Sequence, residues 1–348
     1  MPAGVILLVV VIALLVAGVL NADATLRKSN AKGEGWRNEV AQVVATVSDT
    51  FRFTSLRRAV DDALGKNQST DIDVDELLAQ QRAADPARFA AEEEAARLEA
   101  LKPRLPAATP EAPLRMYIGG DSIARDFGQA MERVAASTGV ITPTLDFRPA
   151  TGLSRPDFFN WPEHLVKDVV PTDPQLVVLQ FGANDAQGFT VGGRSVERFG
   201  PEWLAEYRRR VAATMDLMRS PTNERLVVWV GAPIMGPNSG VAGMDELNYI
   251  YWDEARTRPW VTYVDTWPFL TDANLGYLDQ APNADGRVIS LRQKDKVHFS
   301  EAGGTRVSWV VLDRIAELVD LNAGNITPPP RDAPPPAVQS RTELPPPV

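Results

Sequence analysis

No cysteine occurs among the 348 residues, which excludes a disulfide framework, a thiol nucleophile and a thiolate metal site. Histidine is almost as scarce: His164 and His298 are the whole supply, too few for a multi-histidine metal centre. The formal charge is -9 and no dense basic patch is present, which argues against nucleic acid as a main partner. No internal repeat is evident. What remains is a chain with 44% hydrophobic residues, long enough for one substantial core and for appendages outside it.

The appendages come first. Val5 to Leu20 is an unbroken run of Leu, Val, Ile, Ala and Gly, and with Ala3 and Gly4 it is about long enough to cross a bilayer. Ala22-Asp23-Ala24 has the small-x-small look of a signal-peptide cleavage site. No Lys or Arg precedes the run, however, and the run is long for a signal core, so residues 1–24 read as an uncleaved transmembrane signal anchor. Arg27, Lys28, Lys32 and Arg37 follow it, and by the positive-inside rule they would place the C-terminal side in the cytoplasm. Residues 25–101 read as a juxtamembrane helical region. Trp36, Val40, Val43, Val44, Val47, Phe51, Leu56, Val60 and Leu64 recur there at approximately helical spacing, and the Ala-, Glu- and Arg-rich stretch Asp71 to Leu101 favours an exposed helix. Residues 102–113 carry four prolines and read as a linker. Residues 322–348 are Pro-rich and weakly hydrophobic, a disordered or polyproline tail.

Between linker and tail, residues 114–321 alternate strand and helix patterns. Leu114 to Ile118, Leu176 to Phe181, Leu226 to Val230 and Val261 to Val264 are continuous apolar, β-prone runs. Helical stretches such as Ile123 to Ala136, Trp203 to Met218 and Asp245 to Arg256 separate them. The predicted class is α/β, with a central parallel sheet covered on both faces. Trp161, Phe189 and Trp267 read by default as core aromatics. His164, with no matching partner in the sequence, reads as a surface or core histidine.

The chemistry starts at Gly119-Gly120-Asp121-Ser122. Two glycines permit a sharp turn directly after the first strand, so Ser122 stands where strand becomes helix, at the sheet edge where α/β proteins bind ligands. The first amides of that helix favour developing negative charge. An Asp-Ser pair in this position is also an ordinary helix cap. A serine hydroxyl needs a base, and His298 in Asp295-Lys296-Val297-His298 is the candidate, with Asp295 three residues earlier able to reach the far ring nitrogen. Oxyanion donors are available in the N–H of Ser122, the side-chain amide of Asn184 at the end of the next strand, and the N–H of Gly152. Asp121 and Asp185 read as supporting residues that hold loops through backbone hydrogen bonds.

Gly120-Asp121-Ser122, Gly152, Gly182-x-Asn184-Asp185 and Asp295-x-x-His298 stand in the order of the four blocks of the SGNH (GDSL) hydrolase superfamily, which residues 114–321 therefore resemble. Gly182 to Gln187 and Trp229 to Met235 are further similar to a membrane-anchored bacterial branch of that superfamily whose function is poorly assigned. The resemblance implies a three-layer flavodoxin-like domain that needs no cofactor and acts as an esterase or acyltransferase. Ser122 would be the nucleophile, His298 the base and Asp295 its orienting partner, with Ser122 N–H, Gly152 N–H and the Asn184 amide forming the oxyanion hole. It also implies an extracytoplasmic domain on a single-pass anchor, against the basic flank, acting on O-acyl groups of envelope glycans or other small esters. A membrane acyltransferase partner would favour transfer over hydrolysis.

Two other readings compete. A metallophosphoesterase could take Asp121, Asn184, Asp185, Asp295 and His298 as ligands, although such sites usually recruit several histidines. A non-catalytic glycan-binding scaffold fits everything outside the four blocks. The long loops Ala186 to Trp203 and Met235 to Asp245 are expected to shape the substrate site.

Overall fold

The computed structural model describes residues 74–283 and 285–324. The anchor expected at 1–24, the amphipathic stretch up to residue 73 and the tail from residue 325 lie outside the described residues, and no helix among the described residues is long and apolar enough to cross a membrane. The chain divides into two units, residues 1–89 and 90–348.

The Ala- and Glu-rich stretch forms two helices rather than one, α1 (Val74–Ala84) and α2 (Pro86–Ala100). Pro86 disfavours helical backbone in the residue before it, so Asp85 breaks the run and caps the next helix through Oδ1 to Arg88 N–H at 3.1 Å. The Pro-rich stretch after α2 does not hang free. Arg104 N–H donates to Asn223 O at 2.7 Å, Ala108 N–H to Asp320 O at 3.0 Å, and Ala108 is buried.

The core of the second unit is a five-stranded parallel sheet. Its strands are β1 (Leu114–Gly120), β2 (Ile141–Phe147), β3 (Leu176–Gln180), β6 (Leu226–Val230) and β7 (Val261–Val264), in the order β2-β1-β3-β6-β7. Counting sheet strands only, this is the flavodoxin-like order 2-1-3-4-5, whose direction of winding reverses between β1 and β3. Four of the five were legible as apolar runs. β2 was not, because it alternates Thr142, Thr144 and Asp146 with apolar residues and contains Pro143. It is an edge strand, paired only to β1, where a missing N–H is tolerated.

Period-two alternation sorts the strand side chains onto two faces. Met116, Ile118, Val178, Val228 and Val230 pack under α3 (Ser122–Ser137) and α7 (Glu301–Ala316), with Phe127, Met131, Val307 and Val311. Tyr117, Val177, Leu179, Val227 and Trp229 face α5 (Pro201–Leu217) and α6 (Met244–Ala255), with Trp203, Tyr207 and Tyr251. Each such buried side chain contributes roughly 1.5–3 kcal/mol. Trp161, at the start of the short helix α4 (Trp161–His164), and Phe189 and Trp267 are all buried in this second face. The loop from Ala186 to Trp203 contains a hairpin, β4 (Phe189–Val191) with β5 (Arg194–Val196), pinned to the core by Phe189 and by Trp203 Nε1 donating to Gln187 O at 2.8 Å. A second hairpin, β8 (Gln280–Pro282) with β9 (Val288–Ser290), precedes the His298 loop.

At the end of β1 the chain passes so close to β3 that a Cβ on Gly120 would lie 1.9 Å from Gln180 O, and its φ is +147°. Only glycine meets both demands. That contact fixes Ser122 at the reversal of the winding, beside the end of β3.

Candidate active site

Ser122 opens α3, and Asp121 is its N-cap: Oδ1 accepts from Ile123 N–H at 2.8 Å. The residue that caps α3 therefore directly precedes the serine presented at the sheet edge. His298 lies 176 residues further on, in the loop before α7, whose own cap is Ser300, accepting from Gly303 N–H at 3.0 Å. Both helices cover the same face of the sheet and begin at its C-terminal edge, and Ser308 Oγ of α7 reaches Phe127 O of α3 at 3.4 Å. Their packing brings His298 Nε2 to 2.9 Å from Ser122 Oγ.

His298 Nδ1 lies 2.7 Å from Asp295 Oδ2, while Asp295 Oδ1 accepts from the N–H groups of Val297 and His298 at 2.9 and 3.0 Å. The turn between them needs Lys296 in the left-handed region, φ 62°, an uncommon conformation for a residue with a Cβ. Desolvation would raise the Asp295 carboxyl, but hydrogen bonds from the His298 ring and from these two amides outweigh it and hold the group down at about 2. Asp295 is therefore ionised at neutral pH and can only accept. The proton between them belongs to Nδ1, and the lone pair of a neutral ring belongs to Nε2, facing the Ser122 hydroxyl. That is the tautomer a general base needs.

The candidate oxyanion elements are tied to one another. Asp121 Oδ2 accepts from Gly182 N–H at 3.1 Å and, in a long contact of 3.5 Å, from the Asn184 amide. The amide has two N–H bonds, so this weak contact leaves one for a ligand. Asp185 Oδ1 accepts from Ser154 N–H at 2.7 Å, and Ser154 Oγ donates to Asn184 O at 3.2 Å. Gly152 sits directly against Asp185: a Cβ there would meet Asp185 Oδ1 at 2.2 Å. Arg210 grips the same loop from the other side, donating to Leu153 O at 3.0 Å and Ser154 O at 3.2 Å. Asp121 and Asp185 thus both accept hydrogen bonds from backbone N–H groups around the site.

Both carboxylates are fully buried. Desolvation pushes Asp121 up to about 7, aided by the nearby Asp185 charge and opposed by the amides of Ile123, Gly182 and Ala124. Asp185 is likewise raised by burial. Between the unfolded carboxyl value near 4 and about 7, the folded state binds more protons than the unfolded chain. Asp121 therefore makes stability highest below pH 4 and erodes it as pH rises to about 7. Denaturant melts of Asp121→Asn should lose much of this decline relative to wild type. Parallel pH profiles for the two proteins would show that Asp121 titrates like an exposed carboxyl.

Several participants carried no sequence signal. Tyr207 donates to Asp185 Oδ2 at 2.7 Å, and Tyr251 continues the chain to Tyr207 at 2.7 Å, both buried between α5 and α6. Their positions are helical core positions, indistinguishable from packing until the register of two helices is known. His164 is half-buried, and one part of its sequence reading, the lack of a partner, is corrected. It has partners: Nε2 lies 2.6 Å from Asp146 Oδ2 and Nδ1 2.8 Å from Asp168 Oδ2, with Tyr117 donating to Asp146 at 3.2 Å. Asp168 is one helical turn away in sequence, but Asp146 is on β2, the strand whose pattern was not legible. Among the described residues no serine or threonine completes that cluster in its hydrogen bonds.

The reversed-winding parallel sheet, with serine after β1, asparagine after β3 and Asp-x-x-His before the last helix, defines a domain of the SGNH (GDSL) superfamily. More narrowly, the chain belongs to the SGNH-like family described as "Protein of unknown function (DUF459)", whose sequence profile matches residues 115–314, more than half its length. No curated protein matches the chain. Among solved structures it is similar to the lipase/acylhydrolase from Enterococcus faecalis, with 16% identity and a TM-score of 0.43 over 63% of this chain and 100% of that one. It is also similar to Est24, a carbohydrate acetylesterase from Sinorhizobium meliloti, with 16% identity and a TM-score of 0.41 over 59% of this chain and 99% of that one. The psychrotrophic esterase EstA from Pseudoalteromonas sp. shares 14% identity at a TM-score of 0.39, over 58% and 97% of the two chains.

Proposed function

We propose that the chain is a serine esterase that hydrolyses O-acyl groups, with envelope glycans as the substrate class and the domain held outside a membrane by residues 1–24. The observation that carries the chemistry is the array Ser122 Oγ, His298 Nε2, His298 Nδ1, Asp295 Oδ2, with contacts of 2.9 and 2.7 Å at its two ends. Ser122 Oγ attacks the acyl carbon as its proton passes to His298 Nε2, and the carbonyl becomes an oxyanion. Ser122 N–H, Gly152 N–H and the Asn184 amide are the donors assigned to that oxygen. The imidazolium, stabilised by ionised Asp295, returns its proton to the departing sugar oxygen, leaving an acyl-serine. Water then attacks by the same route, its proton going to His298, and releases the carboxylic acid. The glycan and the outward topology rest on the apolar N-terminal run and on the family resemblance.

The test follows the acyl group. Full-length protein in detergent is incubated with an isotopically acetylated glycan and with an aryl acetate. The expected result is loss of acetate from the glycan to water, blocked by a fluorophosphonate that labels Ser122. If acetyl groups pass from the aryl ester to glycan hydroxyls in preference to water, the protein is an O-acyltransferase and the hydrolase assignment is wrong.

A further inference from the structure

Arg292 is the most deeply buried cation close to the candidate triad. Its residue is 2% exposed, and the guanidinium stands 5.3 Å from the ring centroids of both Tyr277 and Phe299. Among the described residues its hydrogen bonds reach no carboxylate. Nη1 donates to Ile234 O at 2.6 Å. Nη2 donates to Val297 O at 2.5 Å and more weakly to Lys296 O at 3.4 Å and the Met235 sulfur at 3.9 Å. Nε has no partner. Burial pulls the guanidinium down to about 10, still charged at neutral pH.

A buried cation without an ionised hydrogen-bond partner is a costly way to fill space, and a leucine or methionine would pack there at lower cost. What only a guanidinium supplies is a rigid fork that bridges carbonyls from separate segments. The segments are informative. Ile234 lies in the loop after β6. Lys296 and Val297 are the two residues between Asp295 and His298, and Lys296 is the left-handed one. Gly236 N–H adds a second tie to Lys296 O at 2.9 Å. Without the fork, the carbonyls at 297 and 234 lose their charged donor just where the turn is strained, and the bond from Gly236 N–H to Lys296 O is left to join this turn to the loop after β6.

We propose that Arg292 is a positioning residue, which docks the Asp295–His298 turn on the loop after β6 and thereby sets where His298 Nε2 meets Ser122 Oγ. This rests on the esterase reading for its kinetic consequence but not for its structural one. The ring nitrogen must be held within a few tenths of an ångström, and misplacement of about 1 Å costs on the order of 10²-fold.

The experiment uses full-length Arg292→Lys and Arg292→Met. Functional sites are counted by fluorophosphonate titration of Ser122, so that unfolded molecules are removed from kcat. Arg292→Lys keeps the charge but not the fork. It should lower kcat per titrated site by about 10²-fold while KM changes less than about threefold. A purely structural role would lower the number of sites or the melting temperature and leave kcat per site intact, and that result overturns the proposal. The second readout is the low-field Nδ1–H proton of His298, resolved in a chain whose only other histidine is His164. It should exchange faster or vanish in both variants. Were wild type to show no Ser122-dependent turnover, the esterase reading would fall. The proton signal would then decide alone, with an unchanged resonance in Arg292→Lys overturning the positioning role.

Discussion

Replacing Ser122 by alanine should leave a folded protein whose turnover of short-chain aryl esters falls by about 10³- to 10⁶-fold. His298→Ala should fall as far, because in the proposed mechanism the Ser122 hydroxyl and the His298 nitrogen, 2.9 Å apart, act as one unit. The double variant should be no worse than either single one, the mark of groups that work together. Asp295→Asn should lose less, on the order of 10²- to 10⁴-fold, since it leaves the base in place but removes the ionised acceptor that fixes its tautomer. Initial rates with p-nitrophenyl acetate, alongside circular dichroism, decide the matter. A folded Ser122→Ala protein with wild-type turnover would transfer the chemistry elsewhere, and sensitivity to a chelator in the same assay would revive the metallophosphoesterase alternative.

The second large effect is expected at Asp185, and it is first an effect on stability. Two opposing contributions meet there. Removing a buried carboxylate relieves its desolvation, which raises its titration point in the folded protein. Against that, alanine leaves Ser154 N–H and one hydroxyl of the Tyr207–Tyr251 pair buried without an acceptor, and opens a cavity between the loop of Gly152 and α5. The orphaned donors should win, with Asp185→Ala less stable by roughly 2–4 kcal/mol in urea denaturation. Tyr207→Phe, which removes one donor and leaves Asp185 bound to Ser154, should cost about 1 kcal/mol. Because Asp185 also seats Gly152, the loss should extend to kcat in any Asp185→Ala protein that remains folded. An Asp185→Ala protein as stable and as active as wild type would mean that the loop is held by Arg210 and by packing alone.

Much of this architecture could be read from the chain before any coordinate was known. Buried parallel strands are apolar on both faces, so Leu176 to Gln180 and Leu226 to Val230 stand out as runs. β2 could not be seen in the same way, because an edge strand is half exposed and its Thr, Pro and Asp residues resemble a loop. The illegibility of β2 also hides the partners of His164. With Asp146 unplaced, the ring had no visible partner, although in the fold it has two.

The sequence by itself determined the local geometry of the site. Gly120 admits the close turn, Asp121 caps the helix that presents Ser122, and Asp295 lies within one turn of His298, all within segments of a few residues. Tertiary structure decided everything that depends on distant segments meeting. It brought His298 across 176 residues to Ser122 by packing α7 on α3, and it made tyrosines of α5 and α6 the far end of a chain that reaches Gly152 through Asp185. It also placed a guanidinium behind the turn that carries His298. The physical reason is the same in each case. Caps and turns are set by backbone sterics and hydrogen bonds between near neighbours, whereas the partner of a buried polar group is chosen by the register of whole helices and strands.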